Sequence, residues 1–235
     1  MWELRDHRYG GRAKRYAGYP RGVVRCLDPA AKKAVAFSTE LQFENWLLFW
    51  GDPAVSEIDC NPPAIQSLEN GKVLRIKPHL VVRWREDGKQ PEAQLVISNS
   101  TRLDENRLNQ ARRIAAANLL GFSVRSKEEI RTNPILLENL RYLRQCATMH
   151  ADEPSQEIAH EILQLASRQR DLTRGEVILR FSARPLVKSQ IDAVLIRMQW
   201  QHLISIGLAE QPIGERTLLS FKESFRHDQR NEKDT

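Results

Sequence analysis

The sequence predicts a mixed α/β (α+β) protein in which two modules follow a basic N-terminal arm. Helical periodicities alternate with short strand-like runs from residue 37 to about 150. A polar stretch at 148–155 then separates them from a second set of apolar periodicities. The chain has 235 residues, which is enough for two small domains. The predicted parts are an arm at 1–36, a first module at 37–150, a second at 151–225 and a polar tail at 226–235.

The composition narrows the class of protein. Hydrophobic residues make up 41% and charged residues 28% of the chain, which is ordinary for a folded protein and excludes a collagen-like or disordered chain. No apolar run approaches the ~18–20 residues of a membrane span, and the first residues do not resemble a signal peptide. Cys26, Cys60 and Cys146 form no C-x-x-C pair. We therefore expect a cytoplasmic protein without disulfides, a zinc site or contact with a membrane.

Positive charge is concentrated in the arm. Residues 1–36 carry a net charge of +6, which equals the formal net charge of the whole chain. A basic arm on a balanced body indicates a polyanionic partner, most simply double-stranded DNA, and the alternative is a solvated tail. The arm cations expected to contact nucleic acid are Arg5, Arg8, Arg12, Lys14, Arg15 and Arg21.

The first module opens with a helix and continues with strands. Thr39 and Gln42 match a capping box that starts a helix over about 39–51. The dipeptide Asn70-Gly71 predicts a hairpin, because a type I′ turn needs two positive φ angles. Pro78 interrupts the following run and indicates an edge, a bulge or two short strands. The expected strands, which we interpret as a meander, are 64–68, 73–85 and 93–98.

The rest of the first module predicts a helix at 103–121 and a short strand at 122–124. Ser126 and Glu129 form a second capping box, and Pro134 opens the next helix. The resulting α-β-β-β-α-β order is that of the restriction-endonuclease-like, PD-(D/E)XK core.

The second module predicts three helices and a hairpin, which is the winged-helix order. The first helix covers about 155–168, the second is capped by Thr173 and Glu176, and the third begins at Pro185. The hairpin falls within 206–221. The apolar stripe expected to face the core from the third helix comprises Val187, Ile191, Val194, Leu195 and Met198.

Several segments together resemble one known family. They are FSTELQFENWLLFWGDP, NPPAIQ, IKPHLVV, AQLVIS and RLNQARRIAAANLLGFSV in the first module, and GLAEQPIGERTLLSF in the second. The first module is similar to the N-terminal domain, and the second to the C-terminal domain, of TnsA-like endonuclease subunits of heteromeric bacterial transposases. The resemblance implies a nuclease fold, a winged-helix domain, and two protein partners: a DDE-type transposase and an AAA+ ATPase.

The family's catalytic positions are substituted here. The resemblance places the first carboxylate at Gln42, the metal-bridging aspartate at His79, and the acid and lysine of the third strand at Val96 and Ser98. Mg²⁺ prefers hard oxygen ligands, which these side chains do not supply in number. We therefore expect a non-enzymatic DNA-binding subunit of a transposition or recombination complex, without metal or cofactor, associated with the bacterial nucleoid when bound to DNA.

Two alternatives stay open. An active Mg²⁺-dependent endonuclease would need relocated ligands, and the charged residues near the lost positions are Glu40, Glu44, Asp59, Glu92 and Lys77. A sequence-specific DNA-binding regulator would use the third helix of the second module as a recognition helix. The residues expected to face DNA are then Arg184, Lys188, Gln190, Arg197 and Gln201, with Arg216 on the wing. The opposing interpretation of this module is that it binds protein, as the resemblance implies for the ATPase.

Overall fold

The computed structural model describes residues 4–5, 24–69, 71–98, 104–169, 171–184 and 186–221, and within them the protein is mixed α/β. The chain divides into two compact units. The N-terminal unit contains residues 34–132 and the strand residues up to Cys26, and the C-terminal unit contains residues 27–33 and 133 onward. The helices are α1 (Glu40–Trp50), α2 (Glu105–Ala117), α3 (Lys127–Ile130), α4 (Pro134–Met149), α5 (Gln156–Arg168), α6 (Arg174–Arg180) and α7 (Lys188–Trp200).

The strands form four small sheets. Their bounds are β1 (Leu4–Arg5), β2 (Val24–Asp28), β3 (Lys33–Phe37), β4 (Val55–Asp59), β5 (Ile65–Glu69), β6 (Lys72–Ile76), β7 (Leu80–Trp84), β8 (Glu92–Ile97), β9 (Gly121–Ser126), β10 (Leu172–Thr173), β11 (Ile204–Ile206) and β12 (Leu218–Phe221). The sheet orders are β1-β2-β3, β4-β7-β8-β9, β5-β6 and β10-β12-β11.

The sheet β4-β7-β8-β9 is the centre of the N-terminal unit. β4, β7 and β8 pair antiparallel, whereas β9 runs parallel to β8 after the crossover through α2. Helix α1 begins where the Thr39 hydroxyl accepts the backbone N–H of Gln42. Its side chains are buried on nearly every face, and Trp46 lies 5.4 Å from Phe37 between ring centroids. The order α1-β4-β7-β8-α2-β9 therefore surrounds one apolar core.

The predicted meander over residues 64–98 is wrong. The Asn70-Gly71 hairpin is present, with Glu69 opposite Lys72 and a Gly71 φ of 73°, but β5 and β6 form a sheet of their own. Pro78 separates β6 from β7, so the option of two short strands is the one observed. The third strand of the antiparallel set is β4, which no sequence pattern predicted. Its buried and exposed residues are mixed too irregularly to give a clear alternation.

The C-terminal unit follows the order α4-α5-β10-α6-α7-β11-β12. Asn133 caps α4 ahead of Pro134, and Thr173 and Glu176 complete both halves of their capping box. The small sheet places β12 between β10 and β11, antiparallel to both. Four of the five predicted stripe residues of α7 are buried, but Val187 is 54% exposed because it is the N-cap and precedes the helix.

The division between the units differs from the predicted boundary at 150. Helix α4 belongs to the C-terminal unit, because it packs along α7 over much of its length. The units separate between Thr132 and Asn133, just after the C-cap Arg131 of α3 and at the N-cap Asn133 of α4. A polar, turn-rich stretch at 148–155 is therefore only the connection between α4 and α5.

Candidate functional site

The structure joins two of the positions that the resemblance assigns to metal ligands, His79 and Val96. His79 immediately precedes β7, and its Nδ1 accepts the backbone N–H of Val96 at 2.9 Å. The backbone N–H of His79 donates to the carbonyl of Gln94 at 2.8 Å. Desolvation lowers the pKa of His79, so the ring is neutral at pH 7. One ring nitrogen is therefore already used in joining the two strands.

The side chain of Val96 makes apolar contacts. It packs in one buried cluster with Leu41 and Ile130, against which Leu48 also packs. Leu41 is the neighbour of Gln42 in α1. A carboxylate at residue 96 would enter this apolar cluster. The cluster excludes the water that a metal-bound carboxylate normally shares.

Gln42 serves the helix start. Its Oε1 accepts the backbone N–H of Ser38 at 3.0 Å, so the reciprocal half of the predicted capping box falls on Ser38 and not on Thr39. Ser98 lies one residue beyond the end of β8 and is exposed. The amide oxygen of Gln42 is therefore engaged by the backbone, and Ser98 is the one family position that opens to solvent.

The proposed replacement ligands do not come together. Glu44 is buried and accepts Nε of Arg131 at 2.7 Å, while Asp59 accepts the backbone N–H of Asn61 at 2.9 Å. Glu92 begins β8, four residues before Val96, which places it about 13 Å along the strand. Among the described residues, no group of three or more His, Cys, Asp or Glu side chains could hold a metal ion. Glu44 in particular has a cationic partner from the end of α3.

The arm lies largely outside the described residues. Arg5 is placed only through its backbone in β1, opposite Val24 of β2. The other arm cations named above, Arg8, Arg12, Lys14, Arg15 and Arg21, fall outside the described ranges. The structure therefore pairs the start of the arm with β2, which itself lies in the predicted arm, and gives no position for these five cations.

Helix α7 does not present a row of cations. Its residues 191–196 are all buried, because α4, α5, α6 and β11 surround it within the C-terminal unit. Arg197 donates to the backbone carbonyls of His150 and Glu153, and burial lowers the pKa of its guanidinium. The other predicted contacts are spread over the unit: Arg184 pairs with Glu161, Lys188 lies 3.7 Å from Glu215, Gln190 donates to Glu153, and Gln201 and Arg216 are exposed.

Sequence reasoning missed a buried ion pair in the C-terminal unit. Arg174 donates from Nε and Nη2 to Asp192 at 2.6 and 2.7 Å, and the Tyr142 hydroxyl donates to the same carboxylate at 2.5 Å. These hydrogen bonds raise the pKa of Arg174, and burial raises the pKa of the nearby Cys146 thiol to about 11. Asp192 lies within the apolar stripe of α7, and a charged residue at such a place is the sequence signal that could have predicted a buried ion pair.

A second missed set joins residues far apart in sequence. His150 contacts both Glu153 and Ser189, each at 2.9 Å. Ser189 is 39 positions from His150, so no local motif links them. Only the packing of α4 against α7 brings them together.

No protein-family profile matches the chain, and no curated protein matches it significantly. Across the described residues, no helix is both long enough and apolar enough to cross a membrane.

Proposed function

We propose that this protein is a TnsA-like DNA-docking subunit of a bacterial transposition or recombination complex, in which the nuclease fold has lost its chemistry. One observation carries the proposal. The positions that the resemblance assigns to metal ligands hold a valine in an apolar cluster, a histidine bonded to the backbone and a glutamine that caps a helix.

The element order supports the fold part of this proposal. In α1-β4-β7-β8-α2-β9, three antiparallel strands are followed by a parallel fourth, as expected for a PD-(D/E)XK core carrying the inserted hairpin β5-β6. In the C-terminal unit, the order α5-β10-α6-α7-β11-β12 with β12 central fits a winged helix. Helix α4 is then an addition that packs on the proposed recognition helix.

This packing decides which surface we assign to DNA. A recognition helix must enter the major groove with one face free. Because α7 is buried among α4, α5 and β11, we assign DNA contact to the basic arm and protein contact to the C-terminal unit. The expected protein partners are those that the resemblance implies, an AAA+ ATPase and a DDE-type transposase.

DNA binding is tested by fluorescence anisotropy on a duplex of about 30 base pairs over a series of salt concentrations. Neutralising the arm should weaken binding and flatten the salt slope by about 0.9 for each phosphate that the arm no longer neutralises. An unchanged slope would contradict the role of the arm. The arm variant changes Arg5, Arg8, Arg12, Lys14, Arg15 and Arg21 to Gln, and its control changes the exposed Arg75, Lys77, Arg107, Arg112, Arg168 and Arg180 to Gln.

The loss of chemistry is tested with supercoiled plasmid and Mg²⁺ or Mn²⁺. We expect neither nicking nor a metal-dependent rise in melting temperature, whereas a site at 100-fold saturation would add about 2.7 kcal/mol. Cleavage by the natural sequence that is abolished by Glu40→Gln, Glu44→Gln or Glu92→Gln would overturn the proposal. It would establish a relocated endonuclease site instead.

A further inference from the structure

The connection between α4 and α5 meets the start of α7 in a chain of three polar side chains. His150 is the C-cap of α4, and its Nε2 lies 2.9 Å from the Oγ of Ser189, the second residue of α7. Its Nδ1 lies 2.9 Å from Oε1 of Glu153. Hydroxyl, imidazole and carboxylate follow one another in the order of a nucleophile, its base and the group that orients the base.

The carboxylate and the turn that carries it are fixed from α7. Gln190 donates from Nε2 to Oε2 of Glu153 at 2.7 Å, while its Oε1 accepts the backbone N–H of Val187 at 2.7 Å. Arg197 donates to the carbonyls of Glu153 and His150. Glu153 is therefore held by His150 on one oxygen and by Gln190 on the other. Such support is what keeps a base in one orientation before a substrate arrives.

The electrostatics suit the transfer of a proton from Ser189 to His150. Hydrogen bonds from His150 and Gln190 hold the pKa of Glu153 below its usual range, so this carboxylate is ionised at neutral pH and accepts the imidazole N–H. Ser189 lies in the first turn of the 13-residue helix α7. The backbone N–H of Gln190 in this turn donates to the Val187 carbonyl, and the positive end of the helix favours a developing oxyanion.

We propose that Ser189 is a nucleophile activated by His150 and Glu153, and that it takes acyl groups from small uncharged esters. Ser189 is partly exposed, and two exposed apolar side chains lie within two residues of the trio in sequence, Met149 beside His150 and Val187 before Ser189. The surroundings thus favour a short apolar acyl group. This activity is independent of the DNA-docking role proposed above.

The reaction is a hydrolysis in two steps. The Oγ of Ser189 attacks the ester carbonyl carbon while Nε2 of His150 takes the hydroxyl proton. The bond to the alcohol oxygen breaks, and His150 returns that proton to the leaving alkoxide, which leaves an acyl-serine. Water then attacks the acyl-serine with His150 again acting as base. The products are an alcohol and a carboxylic acid, and Ser189 is regenerated.

The test uses the full chain with a fluorophosphonate probe and with p-nitrophenyl acetate. We expect one covalent label per chain, located on Ser189 by peptide mass spectrometry, and release of p-nitrophenol above the background rate. Ser189→Ala should remove both, and His150→Gln should slow labelling by about 100-fold or more. Glu153→Gln should slow it less. The control Ser205→Ala changes an exposed serine of β11 and should label like the natural chain.

Two further measurements distinguish loss of the nucleophile from loss of folding. Thermal melting establishes that each variant is folded, and Ser189→Cys should transfer reactivity to iodoacetamide at the same position. No labelling of the natural chain, or labelling that His150→Gln does not slow, would overturn the proposal. Lower melting temperatures of the variants without labelling would assign the trio to structure alone, as a connection between α4 and α7.

Discussion

Helices α1 and α7 stand at the centres of the two units and are buried on nearly every face, but they treat their polar residues differently. In α7, Asp192 accepts three hydrogen bonds from Arg174 and Tyr142, and Gln199 accepts the backbone N–H of Ile206. In α1, both amide atoms of Asn45 are buried without a hydrogen-bond partner among the described residues. Glu44 of α1 is paired with Arg131 at the end of α3, so the contrast between the two helices rests on Asn45 and on the aromatic packing around α1.

The difference indicates where each unit is vulnerable. Around α1, the rings of Phe37, Phe43, Trp46 and Trp50 lie 5.4 to 6.1 Å apart in successive contacts, and this cluster needs no polar tie. Around α7, one carboxylate connects α4, the start of α6 and α7 itself. Removal of Asp192 should therefore cost more than removal of the Asn45 amide in α1, which holds no neighbouring element.

The largest expected effect follows removal of the buried carboxylate. Asp192→Ala should lower the free energy of unfolding by about 3–5 kcal/mol, because Arg174 stays buried without its partner. Urea denaturation measures this. Arg174→Met with Asp192→Leu is the matched control and should recover most of the loss, since no charge is then left uncompensated. A loss of under about 1 kcal/mol in the single variant would remove the contrast with α1.

Next is the insertion of a charge into the apolar cluster beside α1. Val96→Glu should cost about 3 kcal/mol at pH 7, because a buried carboxylate without a partner has its pKa raised by about two units or more. With the folded pKa above the unfolded one, the loss grows as pH rises from about 4.3 and diminishes at lower pH. Ser98→Lys, two residues on and exposed, should stay within about 0.5 kcal/mol. Equal effects at the two positions would contradict the packing described for Val96.

A matched pair then sharpens the comparison between the helices. Asn45→Leu should stabilise the protein by about 1 kcal/mol, because it removes two buried amide atoms that have no partner among the described residues. Gln199→Leu should destabilise it by about 1–2 kcal/mol, because the buried N–H of Ile206 loses its acceptor. Thermal melting ranks the two variants. Destabilisation by Asn45→Leu would mean that this amide, too, supports the fold.

The smallest expected effect concerns the start of α6. Thr173→Ala should cost about 1 kcal/mol, because the hydroxyl that accepts the Glu176 N–H is lost. Hydrogen bonds from the backbone N–H and hydroxyl of Thr173 hold the pKa of Glu176 below its usual range. This contribution is present above the unfolded pKa and disappears as pH falls through the folded one. The variant should therefore show a weaker loss of stability between about pH 5 and pH 3 than the natural chain. An identical acid profile would contradict the role of the cap.

Local signals predicted much of the secondary structure. Thr39, Ser126 and Thr173 each begin the helix that their capping chemistry predicted, Pro134 opens α4 as expected, and the hairpin at Gly71 has its expected positive φ. These signals act within four residues, so the chain carries them whatever surrounds it. Strand β4 and the separation of β5-β6 from the central sheet were missed, because pairing between distant strands leaves no local mark.

The candidate sites also combine features that come from the sequence with features that depend on tertiary packing. The assignment of Gln42, His79, Val96 and Ser98 to ligand positions came from the resemblance of the flanking segments, and it stays a prediction. The contacts at these positions could not be predicted from the sequence. They depend on the packing of Ile130 against Val96 and on the hydrogen bond from the N–H of Val96 to His79. The alternative in which α7 acts as a recognition helix depends on tertiary packing in the same way. Its apolar stripe showed one buried face, and the packing of α4 covers another.

The sequence by itself determined the helices, their caps, the tight turn at Asn70-Gly71 and the excess of positive charge in the arm. Only the tertiary structure decided that α4 belongs with α7, that Arg174 reaches Asp192, and that His150 meets Ser189. The physical reason is the distance along the chain over which each interaction acts. Capping and turn preferences arise from a few neighbouring dihedral angles and hydrogen bonds, whereas a buried ion pair or a polar trio exists only after apolar packing has brought distant segments within about 3 Å.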